Sequence, residues 1–98
     1  MDIKDKPIHP GKYFLENYME PLKLSFTETA DILQIDLKTL IHFVKDEDKL
    51  TDSLAKKIAK ATNTSAVDWM QMQFDLSVWS LKHMDLEKVK AGSLFNKN

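Results

Sequence analysis

With no cysteine in the chain, the imidazoles of His9, His42 and His83 are the first candidates for acid-base or metal chemistry. None of the three has a histidine four residues away, the spacing that lets one helical face grip a zinc ion, so no metal site is expected. Asp46, Glu47 and Asp48 are close enough to work as paired carboxylates. They sit, however, in the charged run Lys45-Asp46-Glu47-Asp48-Lys49, which reads as a solvated loop with no burial to raise a pKa. With Gly11 and Gly92 as the only glycines, a glycine-rich phosphate loop is excluded as well. No catalytic residue and no cofactor is assigned, and the chain is not expected to be an enzyme.

A second kind of chemistry is available, that of charge and hydrogen bonding. Lys38, Thr39, His42 and Lys45 form a short polar series, preceded by Ser25 and Thr27. Lysine neutralises phosphates, Lys, Thr and His can bond base edges, and Ser25 offers a backbone amide at a helix start. For each of these residues a solvated helix face is the alternative reading. The charge balance limits the nucleic-acid reading to a local patch, since the net charge is −1. Residues 1–49 hold 7 Lys against 10 acids and residues 50–98 hold 7 Lys against 5, with no arginine anywhere to read guanine bidentately.

The elements that must position these residues are helices. Pro7-Ile8-His9-Pro10-Gly11 is a rigid start, after which Tyr13, Phe14, Leu15, Tyr18 and Met19 recur at helical spacing until Pro21, predicting a helix over 11–20. Ser25 with Glu28 has the capping-box spacing and opens a helix over 26–33. After a break of about three residues, Asp36 caps a helix over 37–45 whose apolar set is Leu37, Leu40, Ile41, Phe43 and Val44. Thr51 caps a fourth helix over 52–62, closed by Asn63, and Ser65 with Asp68 repeats the capping-box spacing ahead of a fifth over 66–82. Met84–Asn98 is a mixed extension that predicts a short sixth helix before Gly92 and a loose tail.

In the fifth helix Trp69, Met72 and Leu76 share a face with Gln73 beside them. Met70, Phe74 and Trp79 cannot all join it, so these three are the expected seam of a homodimer. A chain of 98 residues makes one domain, divided here into residues 1–83 and the extension 84–98. Neither a signal-type apolar run near Met1–Ile8 nor a window long enough to span a membrane is present, so the expectation is a soluble cytoplasmic protein with no membrane partner.

Several residues at once resemble one family. His9-Pro10-Gly11, Glu20-Pro21-Leu22, Leu24-Ser25, Ala30 with Leu33, Leu50-Thr51, Ala55, Ala59, Thr64-Ser65, Trp69 and Gln73 are similar to the HigA antitoxins of the XRE helix-turn-helix class, without an obvious gap from Pro7 to His83. The resemblance implies an all-α, five-helix, lambda-repressor-like helix-turn-helix domain with residues 36–45 as recognition helix. It further implies a dimer that binds its own operator DNA and neutralises a cognate HigB-like toxin of the RelE-type, mRNA-cleaving class. The chain departs from the family in its acidic loop 46–48, in Gln34 where the motif turn usually has glycine, and in Phe26 and Thr27 where a phosphate-binding glutamine is common. Two alternatives follow: an interaction module whose DNA binding is weakened or lost, and a phage-type repressor with no toxin partner.

Overall fold

The computed structural model describes residues 5–95; residues 1–4 and 96–98, including the end of the predicted tail, lie outside the described part. The described residues form five helices and no strand. Helix α1 (Pro10–Phe14) continues as a π-helical segment (Leu15–Met19), and α2 (Phe26–Leu33), α3 (Leu37–Val44), α4 (Asp52–Thr62) and α5 (Ala66–Lys82) follow. The π segment closes with Glu20 N donating to the Leu15 carbonyl at 2.9 Å, while the Asn17 side-chain amide takes the Tyr13 carbonyl at 2.9 Å. In place of a sixth α-helix there is one 3₁₀ turn, Leu86–Lys88, with no buried residue. An isolated helix of that length has no apolar face to bury, and propensity alone does not hold it.

Phe14, Met19, Leu33, Leu40, Phe43, Ile58, Ala55 and Trp69 are among the side chains that make one core. Ala30, Leu33 and Leu40 are all buried where α2 meets α3, as their sizes and spacing require. The Trp69 indole packs edge-to-face with Tyr13 and Phe14, ring centroids 5.7 Å and 6.2 Å apart, which ties α5 to α1. Gly11 marks the closest approach of two backbones: a Cβ there would sit 1.9 Å from the Phe43 carbonyl oxygen, so only hydrogen fits between α1 and α3.

Four turns place a non-glycine residue in the left-handed region, Lys23, Gln34, Asp46 and Asn63. Each closes a helix by the same bond pattern. Leu24 N reaches Met19 O, Ile35 N reaches Ala30 O, Glu47 N reaches His42 O and Thr64 N reaches Ala59 O, at 2.9–3.1 Å. The strain expected at Gln34 is therefore present, at φ 55. Two predicted caps differ in detail. Asp36 and Ser65 stand at N-cap positions in extended conformation, but neither side chain makes a capping bond. At α5 the Trp69 Nε1 donates to Thr64 Oγ1 at 2.7 Å, which ties the first turn to the preceding loop but leaves the first-turn amides without a side-chain cap.

Candidate nucleic-acid interface

The geometry of the site begins at the cap of α2. Ser25 Oγ accepts from Glu28 N at 3.0 Å, and Ser25 N donates to Glu28 Oε1 at 2.9 Å. The backbone bond from Ser25, then its hydroxyl bond, hold the Glu28 carboxyl below the usual carboxylate range. The Ser25 amide is thus engaged by Glu28. The first-turn amides that no helical carbonyl can reach are those of Phe26 and Thr27, and the Thr27 side chain is exposed beside them.

Helix α3 buries Leu40, Phe43 and Val44, which turns Lys38, Ile41, His42 and Lys45 outward at spacings of three and four. Lys38, His42 and Lys45 therefore fall on one outward row, as a reading surface requires. Lys38 and Lys45 are exposed; His42 is half-buried, its Nδ1 3.9 Å from Asp48 Oδ2. Thr39 lies off this row, toward α4. With Ile35, Lys49, Thr51, Ser53 and Lys57 it lines a shallow groove of about 370 Å³. Lys57 Nζ donates to the Gln34 carbonyl at 2.9 Å, tying α4 to the motif turn. Sequence reasoning confined to the two-helix motif missed Lys49, Ser53 and Lys57. The signal was the Thr51 cap itself, since it starts α4 immediately after the acidic loop.

That loop is solvated, as its charge suggests, yet its backbone is fixed. The His9 Nδ1 accepts from Gly11 N at 2.9 Å, so the proton sits on Nε2, which donates to the Asp48 carbonyl at 2.9 Å. Leu50 N donates to the buried Gln73 Oε1 at 2.8 Å, anchoring the loop exit to α5. Asp46 lies 3.5 Å from His9 Nε2 and 3.9 Å from Lys6 Nζ. These bonds hold the loop backbone next to the end of α3.

The three residues expected at a dimer seam do not fall on one surface. Met70 is half-buried against the core. Phe74 is 61% exposed and continues a seven-residue spacing with Val67 and Leu81, exposed by 74% and 64%. Trp79 turns to the other side, stacked on His83 at 4.0 Å, with Lys6 Nζ 5.9 Å from its ring. No described helix is long and apolar enough to cross a membrane.

No protein-family model matches the chain. An HTH-type transcriptional regulator of Haemophilus influenzae is 31% identical over 78 residues, covering 80% of this chain and 73% of that protein. Among solved structures, the Pseudomonas aeruginosa antitoxin HigA with the higBA promoter superposes with a TM-score of 0.76 at 23% identity, over 79% of this chain and 84% of that one. A second Pseudomonas aeruginosa protein, in complex with its operator DNA, gives 0.77 at 22%, over 85% and 91%. At those identities the likeness to the solved structures is one of fold. The chain belongs to the family of HTH-type transcriptional regulators, and its fold is that of the HigA antitoxins.

Proposed function

We propose that this protein is a cytoplasmic antitoxin and autoregulator that binds operator DNA upstream of its own gene through α3 and neutralises a HigB-like, RelE-type mRNA-cleaving toxin. The observation that carries the DNA half is the outward row of α3, where Lys38, His42 and Lys45 are free of the core while Thr27 and the first-turn amides of α2 stand ready for phosphate. The promoter and operator DNA named for the two structural neighbours support the same ligand.

The test is fluorescence anisotropy with the DNA upstream of the gene against scrambled DNA at two salt concentrations, with a Lys38→Ala, Lys45→Ala variant. Preferential binding that weakens with salt is expected, and the variant should lower the log-log salt slope by about 2. Equal, poor binding to both DNAs would leave the second reading, a helix-turn-helix scaffold for protein partners. The carboxylates of Asp46 and Asp48 beside α3 favour that reading. For the toxin half, co-expression with a neighbouring small basic gene should yield a co-purifying complex and restore growth; absence of both would favour the phage-type repressor.

The protein is also proposed to work as a homodimer, with the exposed Val67, Phe74 and Leu81 of α5 as the seam and Met70 and Trp79 outside it. Phe74→Glu should convert the dimer to monomer in analytical ultracentrifugation, while Trp79→Ala should not.

A further inference from the structure

We infer that Leu37 and Ile41 recognise thymine in the operator by contact with its 5-methyl group, an inference that rests on the DNA-binding reading of α3. The core side of this helix is already filled by Leu40, Phe43 and Val44. Leu37, the first residue of the helix, is nevertheless 42% exposed. Ile41 is half-buried, but among the described residues it is not one of the side chains that pack on the core, as Ile35 is. Leu37 is thus exposed and Ile41, one turn on, partly exposed, both outside the fully buried set of Leu40, Phe43 and Val44.

Lys38 and Lys45 are exposed nearby on the same helix, with charge that matches a phosphate backbone. In the major groove the apolar feature of a base edge is the thymine C5-methyl, and a recognition helix reads bases with its N-terminal residues. Leu37 and Ile41 are one turn apart, about 6 Å along the axis, close to two base steps of about 3.4 Å. Such a pair fits methyl groups about two base pairs apart, with Lys38 between them for the intervening edge.

The experiment compares the DNA upstream of the gene prepared with thymidine against the same sequence prepared with deoxyuridine, which lacks only the methyl groups. Anisotropy titrations should show the wild type preferring thymine DNA by about fourfold for each methyl it buries. The Leu37→Ser, Ile41→Ser variant should bind both DNAs alike. Ile32→Ser, which alters an exposed apolar residue of α2, should keep the preference. Melting curves of both variants check that the fold is retained. If the wild type still prefers its own upstream sequence to scrambled DNA but binds the thymine and uracil forms equally, the inference is overturned and DNA binding stands. Preference that survives in the double variant overturns the assignment to these two residues. No preference for the upstream sequence over scrambled DNA removes the DNA-binding reading and this inference with it.

Discussion

Replacing Gly11 with alanine should destabilise the protein, although helix propensity alone predicts the opposite. Gly11 lies inside α1, where alanine is favoured over glycine by about 1 kcal/mol. The added Cβ, however, would lie 1.9 Å from the Phe43 carbonyl oxygen, 2.6 Å from its carbon and 3.0 Å from Val44 Cα. Reaching even 3.0 Å from the oxygen requires 3.0 − 1.9 = 1.1 Å of separation between α1 and α3. The obstructing atoms are main chain, so no rotamer change can absorb the clash. Parting the helices also loosens Phe14 and Phe43, both buried in the core, and a gap of about 1 Å forfeits up to half of each dispersion contact.

Overpacking of this kind costs about 1–3 kcal/mol, and the backbone character of the clash puts Gly11→Ala at or above the upper end. With about 4–8 °C per kcal/mol for a domain of this size, thermal unfolding followed by circular dichroism should show a midpoint lower by about 10–20 °C. Gly92→Ala is the control, since nothing lies within 4 Å of a Cβ there. A Gly11→Ala protein that melts at or above the wild-type temperature would refute the packing argument.

Other outcomes follow from the same geometry. Gln34→Gly should stabilise the fold by about 0.5–1 kcal/mol in urea titrations, because relief of the left-handed strain exceeds the entropy cost of glycine and Lys57 bonds only the Gln34 main chain. The Glu28 carboxyl is held low by Ser25, so its contribution is full above the ordinary carboxylate value and is lost as pH falls through the depressed one. The stability gap between wild type and Glu28→Gln should therefore close on acidification; a gap that widens would contradict the capping assignment. Glu47→Gln with Asp48→Asn should tighten DNA binding about two- to threefold at low salt, with the gain fading at high salt, since both exposed carboxylates lie in the loop that directly follows α3.

The sequence by itself determined the helices and most of their ends. Apolar spacing of three and four depends on the helical repeat alone, and the bonds of the Ser25 and Thr51 caps run between residues three apart. Gln34 as a strained turn was legible for the same reason, since a backbone reversal between two short helices needs a left-handed residue wherever the glycine is missing. The polar row of α3 was legible once its buried face was known, except for Thr39, whose direction depends on where α4 lies.

Tertiary structure decided what depends on distant residues. The His9 ring bridges Gly11 and Asp48, 39 residues apart at the longer reach, and Gln73 holds Leu50 across 23 residues; local spacing carries no trace of either bond. The same holds for the dimer candidates. Periodicity could tell that Met70, Phe74 and Trp79 cannot all face the core, but not which surface each takes. That was set by Met70 packing inward, by Trp79 stacking on His83 near Lys6, and by the Val67, Phe74 and Leu81 stripe left exposed, because a helix's partners, and not its own repeat, fix which of its faces remain uncovered.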